Sequence, residues 1–268
     1  MTPLVVMVAP NGARRTKTDH PQLPLTPAEI AREAELCAAA GASVLHVHVR
    51  DEDGRHSLDP GLYHAAIAAI RRRLGDRIVV QMSTEAVGRY GPAEQMAAVR
   101  EVRPEAVSLG LSELMPDDQA ADAAAAFLAW LQRERIAPQY ILYSPQEVAR
   151  LHDLRHSGVI PQRRPFALFV LGRYAERTEA APRDVLPFLA AHDAAHDAAH
   201  NADCPWALCA FGRLESACVL TAAGLGGHVR VGFENNLRLV DGRLAATNAQ
   251  LVEQVAASAR LLGREIAD

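Results

Sequence analysis

Lysine is almost absent from this 268-residue chain: Lys17 is the single lysine, and arginine supplies the other positive charges. Schiff-base aldolases and pyridoxal-phosphate enzymes need a lysine amine held at the reacting carbon. Because Lys17 falls in a polar loop by its sequence context, both classes of enzyme are disfavoured. If the chain makes or breaks carbon–carbon bonds, a metal ion is the expected electron sink.

Cysteine, long apolar runs and net positive charge are also scarce. The four cysteines form no CxxC pair, which favours reduced thiols and a cytoplasmic location. No apolar run is as long as a membrane span, and the first residues lack the basic start and cleavage site of a signal peptide. A net charge of −4 disfavours general nucleic-acid binding. We therefore expect a protein with no membrane partner and no nucleic-acid partner.

Strand and helix signals alternate along the chain. The predicted strands are Leu4–Val8, Val44–Val49, Ile78–Gln81, Ala106–Leu109, Gln139–Tyr143, Phe166–Leu171, Trp206–Cys209 and Val229–Phe233. The predicted helices are Pro27–Ala40, Pro60–Leu74, Pro92–Val102, Asp118–Arg135, Gln146–His156, Pro182–Ala199, Glu215–Ala223 and Thr247–Leu262. This pattern predicts a single-domain (β/α)₈ TIM barrel over residues 1–268. The alternative is a doubly wound sheet, but no GxGxxG follows the first strand.

The most informative motif is His46-Val47-His48, at the end of the second predicted strand. Side chains alternate along a strand, so both imidazoles point to the same side. Two imidazoles at the carboxyl end of a barrel strand can bind one divalent metal ion, and a catalytic zinc site needs about three protein ligands. The alternative is a pair of hydrogen-bonded core histidines.

A second cluster spans the eighth predicted strand and the residues that follow it. Arg230, Gly232 and Glu234 share one face if the segment stays extended. Glu234 can then supply the third metal ligand, and Arg230 can bind a carboxylate through two hydrogen bonds. The alternatives are a surface carboxylate at 234 and an Arg230–Glu234 ion pair that closes the barrel interior. Ser83 and Ser108 also fall near predicted strand ends, and we predict that both bind substrate.

These motifs resemble the β-keto acid cleavage enzymes, a family named after 3-keto-5-aminohexanoate cleavage enzyme. The resemblance runs along almost the whole chain and includes the segments 25–30, 46–51, 226–232 and 248–252. It implies a zinc-binding (β/α)₈ barrel, usually a homotetramer built as a dimer of dimers. It implies that Zn²⁺ is held by His46, His48 and Glu234, that Arg230 positions the substrate, and that a strand-three hydroxyl at Ser83 or Thr84 contacts it.

The implied reaction joins a β-keto acid and acetyl-CoA to give acetoacetate and a new acyl-CoA. A Lewis-acid metal stabilises the enolate formed at C2, which attacks the thioester, and CoA thiolate then completes a retro-Claisen split. The family's proposed catalytic base is an aspartate directly after the glutamate ligand, and this chain has Asn235 at that catalytic position. A neutral amide does not accept this proton. Glu85, His228 and Tyr143 are the candidate replacements.

The first loop also departs from the family. The prototype has a glutamate that meets the substrate's amino group, where this chain has Arg14, followed by Arg15 and Lys17. Arg14 therefore predicts a β-keto acid with an anionic tail, such as a dicarboxylate. The alternative is that these cations face solvent or the phosphates of CoA.

Three other interpretations remain. The first is a metal-dependent hydrolase or lyase of altered chemistry, although HxH lies on the second strand rather than the first strand used by amidohydrolase barrels. The second is a non-catalytic metal-binding barrel, which Asn235 suggests. The third concerns the repeat that carries His192, His196 and His200, where a metal-binding stripe is possible but a solvated helix face is expected.

Overall fold

A computed structural model describes residues 2–173, 179–199 and 204–267, without the side chains of residues 118 and 195–199. Eight parallel strands close into a barrel in the order β1-β10-β9-β8-β7-β6-β5-β2. The barrel strands are β1 (Val6–Val8), β2 (Val44–Val47), β5 (Val79–Ser83), β6 (Ala106–Gly110), β7 (Ala137–Leu142), β8 (Phe166–Leu171), β9 (Trp206–Ala210) and β10 (His228–Val231). The predicted (β/α)₈ barrel is confirmed.

Helices connect successive barrel strands and cover the outside of the barrel. They are α1 (Pro27–Ala39), α2 (Pro60–Leu74), α3 (Pro92–Val102), α4 (Leu111–Leu114), α5 (Ala121–Arg133), α6 (Pro145–His156), α7 (Leu186–Ala199), α8 (Glu215–Gly224) and α9 (Asn248–Leu261). A capping box starts α1: the Thr26 hydroxyl accepts from Glu29 N, and the Glu29 carboxylate accepts from Thr26 N. In the described residues, no helix is long and apolar enough to cross a bilayer.

Several element ends differ from the sequence prediction. The predicted fourth long helix starts as a 3-10 turn over Asp118–Ala120 and ends at Arg133, where Arg135 takes a positive φ of 60°. The predicted eighth strand does not reach Phe233. It stops at Val231 because Gly232 has a φ of 132°, and a Cβ there would lie 2.4 Å from the Ala9 carbonyl oxygen. The close approach of the Ala9 backbone therefore explains the glycine at 232.

A short hairpin absent from the sequence prediction follows β2. Its strands are β3 (Val49–Arg50) and β4 (His56–Ser57), which pair antiparallel, Arg50 opposite His56. The Asp51 carboxylate accepts from the backbone N–H groups of Asp53 and Arg55, which closes the turn. The hairpin therefore brings His56 back toward the carboxyl end of β2.

The repeat on α7 is partly described. His192 is buried rather than solvated: one of its ring nitrogens lies 3.2 Å from His152, and the other lies 3.2 Å from the Cys204 carbonyl oxygen. The expectation of a solvated face is therefore wrong for His192, whose side chain packs against α6. The side chain of His196 and all of His200 lie outside the described residues.

Candidate metal centre

Three ligand atoms converge at the carboxyl ends of β2 and β10. His48 Nε2 lies 3.0 Å from His46 Nε2 and 3.2 Å from Glu234 Oε2, and the remaining edge of the triangle is 3.6 Å. All three residues are buried. Ligands placed tetrahedrally about 2.0–2.1 Å from a zinc ion lie about 3.3 Å from one another, so the spacing fits one such ion.

Glu234 reaches this position through a turn rather than through strand alternation. The backbone N–H groups of Asn235 and Asn236 both donate to the Gly232 carbonyl, and Glu234 N donates to Ala9 O at 3.1 Å. Gly12 packs against the Glu234 side chain so closely that a Cβ on Gly12 would lie 2.6 Å from Glu234 Cγ. The first loop and the turn after β10 therefore hold the carboxylate between them.

The charge state of the three residues suits a cation. Burial lowers the pKa of His46 to about 4 and that of His48 well below its usual value, so both imidazoles are neutral. Burial alone raises the pKa of Glu234, but the buried Arg230 guanidinium holds it well below its ordinary value. Glu234 Oε2 has no hydrogen-bond partner among the described residues. An unshared carboxylate oxygen facing two imidazole nitrogens is a metal-ligand set.

Arg230, on β10, lies in the site beside Glu234. Its side chain is buried, and Nη2 donates to Glu234 Oε1 at 2.9 Å and to Cys209 Sγ at 3.2 Å. The ion pair that the sequence left as an alternative is therefore present, and it leaves Oε2 of Glu234 on the histidine side. Arg230 thus fixes which carboxylate oxygen faces the imidazoles.

A narrow cavity opens over the three ligands. Its lining includes Ser83, Ser108 and Arg230 from the predicted substrate-binding set. The Ser83 hydroxyl accepts from Glu85 N at 3.3 Å, whereas the buried Ser108 hydroxyl has no partner in the described part of the chain. Two hydroxyls and a guanidinium thus face the space above the candidate metal position, where a carboxylate or carbonyl oxygen could accept hydrogen bonds.

Thr84, Asn235 and Arg14 lie elsewhere. The Thr84 hydroxyl donates to Ser108 O at 2.8 Å, and Thr84 is not among the described residues that line the cavity. Asn235 is fully buried, and neither polar atom of its side chain has a hydrogen-bond partner among the described residues. Arg14 lines a neighbouring cavity, with 60% of its side chain exposed. Their assigned roles stay predictions.

The three candidate bases separate by position. Glu85 and Tyr143 line the main cavity. His228 starts β10, at the opposite end of the barrel, where its Nδ1 accepts from Val5 N at 3.1 Å. Distance from the cavity therefore removes His228 as a base.

Other cavity groups were not predicted from the sequence. Arg173 follows β8, pairs with the Glu85 carboxylate and lies over the Phe211 ring at 4.8 Å. Glu113 lines the cavity from α4, and burial raises its pKa. Both lie two or three positions after the end of a barrel strand. The sequence signal that could have found them is a charged residue within a few positions of a predicted strand end.

A closed parallel barrel with a buried His-His-Glu cluster at its catalytic end defines the class: a (β/α)₈-barrel enzyme with a candidate metal centre. The sequence matches the beta-keto acid cleavage enzyme family over residues 3–268, and the chain belongs to that family.

Named relatives cover nearly the whole chain. A 3-keto-5-aminohexanoate cleavage enzyme of Fusobacterium nucleatum is 31% identical over 100% of this chain and 95% of its own length. A 3-oxoadipate:acetyl-CoA acetyltransferase of Cupriavidus necator is 29% identical over 99% of this chain and 91% of its own.

Among solved structures, ObcA in a binary complex with oxaloacetate superposes with a TM-score of 0.73 at 19% identity. The match covers 92% of this chain and 65% of the ObcA chain. At this identity the likeness supports the fold alone.

Proposed function

We propose that the protein is a zinc-dependent acyltransferase that converts a β-keto acid and acetyl-CoA into acetoacetate and a new acyl-CoA. The observation that carries the proposal is the convergence of His46 Nε2, His48 Nε2 and Glu234 Oε2 beneath an open cavity. Zinc suits two imidazoles and one carboxylate with a fourth position left for substrate. When bound there, it would supply Lewis-acid polarisation of the keto group.

The reaction forms one carbon–carbon bond, breaks another, and removes and returns one proton. A base removes a C2 proton from the β-keto acid, and the carbanion displaces CoA thiolate from the acetyl group. The thiolate then attacks the original keto carbon, the bond from that carbon to C2 breaks, and the proton returns to the acetoacetate carbanion. The chain must therefore place one proton acceptor beside C2.

We assign that role to Glu85. Of the two glutamates that line the cavity outside the ligand set, it is the one whose carboxylate makes fewer hydrogen bonds to neighbouring loop residues. Its side chain is 10% exposed, and Oε2 lies 3.9 Å from His48 Nδ1 on the cavity side of the site. Burial and nearby Glu234 raise its pKa, which favours proton uptake. Glu113 instead accepts from Ala86 N at 3.0 Å and Gln95 Nε2 at 3.2 Å, and so serves the loop.

For substrate class we favour a β-keto acid with a second carboxylate. Arg14, Arg15 and Arg173 line the side cavity that borders Glu234, so three guanidinium groups face a tail that extends from the metal position. Lys17 forms an ion pair with Glu29 on the surface and does not contribute to binding of the tail. The relative that acts on 3-oxoadipate is named for a β-keto dicarboxylate, which supports this choice.

A test combines metal analysis with turnover. Zinc-loaded protein would be mixed with acetyl-CoA and neutral, cationic or dicarboxylic β-keto acids, and products would be measured by mass spectrometry. We expect acetoacetate and a new acyl-CoA with the dicarboxylic acid, and loss of both products in His48→Ala. No product from any acid, with zinc bound and the fold intact, would overturn the proposed activity.

The second candidate function is metal binding without catalysis, which Asn235 favours. A buried neutral amide occupies the place where the resemblance implies the base, and its side-chain atoms have no partner in the described residues. The same assay separates the two candidates, since a binding protein would hold zinc and release no acyl-CoA.

We also propose that the chain is one domain that works in the cytoplasm as a homotetramer.

A further inference from the structure

We infer that His56 is a positioning residue that fixes the ring of His48 in the tautomer able to bind a metal; this rests on the proposed metal site. His56 is 3% exposed, and its ring packs against the His48 ring with a centroid distance of 4.9 Å. Its Nδ1 lies 3.4 Å from His48 Nδ1, and its Nε2 lies 2.9 Å from the backbone carbonyl oxygen of Glu85.

The Glu85 carbonyl decides where the protons lie. A carbonyl oxygen only accepts hydrogen bonds, so the ring proton of neutral His56 is on Nε2. Nδ1 of His56 then carries a lone pair. Because two lone pairs facing each other repel, His56 favours the tautomer of His48 that carries the ring proton on the nearby Nδ1. Nε2 of His48 is left as a lone pair.

The freed lone pair points at the cluster. His48 Nε2 is the atom that lies 3.0 Å from His46 Nε2 and 3.2 Å from Glu234 Oε2. The opposite tautomer would place a proton between these atoms, where it would donate to Glu234 and occupy the metal position. The Glu85 carbonyl and His56 therefore favour the metal-binding form of His48 and oppose the pull of the Glu234 carboxylate on an Nε2 proton.

The hairpin that follows β2 places His56 beside His48. His56 opens β4, pairs opposite Arg50, and is held on its outer edge by Tyr90, whose ring lies 6.3 Å away. The backbone of His48 is fixed separately, since Asn11 Nδ2 donates to His48 O at 2.9 Å. Ring tautomer and backbone position thus have different supports, so the two can be perturbed separately.

The test compares two substitutions of His56. In His56→Asn the amide oxygen can replace the Nδ1 acceptor, whereas His56→Leu removes the acceptor and keeps an apolar side chain. Zinc affinity would be measured by competition with a chromophoric chelator, and the unfolding midpoint of each metal-free protein would be measured beside it. We expect about 10- to 100-fold weaker zinc binding in His56→Leu and a loss below about threefold in His56→Asn.

Zinc binding by His56→Leu within about threefold of the unsubstituted protein would overturn the inference, and so would equal losses in both variants. Nitrogen NMR of the metal-free protein gives a second, independent reading, with the His48 signal assigned by His48→Asn. A proton on Nδ1 of His48 supports the inference, and a proton on Nε2 overturns it, even if His56→Leu does not fold. Failure of the unsubstituted protein to bind zinc would instead count against the proposed function.

Discussion

Gly12→Ala should damage the metal centre from outside the ligand set. Gly12 has a φ of +62°, a backbone conformation that costs an alanine about 1–2 kcal/mol. The new Cβ would also lie 2.6 Å from Glu234 Cγ and 3.0 Å from Glu234 Cβ. These atoms belong to a buried side chain that Arg230 holds at 2.9 Å, so the contact is not relieved by moving a free chain end. Overpacking of this kind costs about 1–3 kcal/mol.

The two contributions together predict a loss of about 2–5 kcal/mol in the free energy of unfolding of the metal-free protein. Gly263→Ala is the matched control, because Gly263 has a φ of +68° and a Cβ there would meet no atom within 4 Å. The control should lose only the backbone part, about 1–2 kcal/mol, and should bind zinc normally. Denaturant unfolding and zinc competition measure the two quantities. Equal stability and equal zinc affinity in the two variants would refute the proposed packing of Gly12 on Glu234.

Three further predictions concern single carboxylates and one arginine. Glu85→Gln should lower kcat by about 10²–10⁴ in a stopped assay while zinc binding persists, and Glu113→Gln, the control, should lose far less. Arg14→Glu should lower kcat/KM for a dicarboxylic β-keto acid at least about tenfold, whereas the exposed Arg243→Glu should not; unchanged kinetics in Arg14→Glu would remove the anionic-tail hypothesis. Burial raises the pKa of Glu215 from 4.5 to about 8, so the folded protein retains a proton that the unfolded chain releases, and stability falls as pH rises through that window. Glu215→Gln should therefore gain more unfolding free energy at high pH than at about pH 5 in denaturant titrations; a pH-independent difference would contradict this.

The barrel and the ligand set could be predicted from the sequence because each depends on a local pattern of residues. Apolar strands that alternate with capped helices predict the fold, and the period of two along β2 places His46 and His48 on one side. Glu234, which is far from both histidines in the chain, then meets them, since all barrel strands end at the same face.

The rest of the site depends on geometry that no local pattern carries. Strand alternation predicts that Glu234 lies on the same face as Arg230. In the structure the turn after Gly232, and not an extended strand, brings Glu234 into the cavity. His56 was missed because its place follows from a hairpin closed by Asp51, and Arg173 was missed because it lies in a loop beyond β8. Loop side chains are positioned by tertiary contacts, which periodicity does not encode.

The central claim, acetyl exchange at the His46–His48–Glu234 centre, is tested most directly by tracing a label. Acetyl-CoA carrying ¹³C in its acetyl group would be incubated with zinc-loaded protein and a dicarboxylic β-keto acid. We expect labelled acetoacetate and an unlabelled new acyl-CoA, both dependent on zinc and absent in Glu234→Gln. Unlabelled products of hydrolysis or decarboxylation, or label that stays in acetyl-CoA with zinc bound, would contradict it.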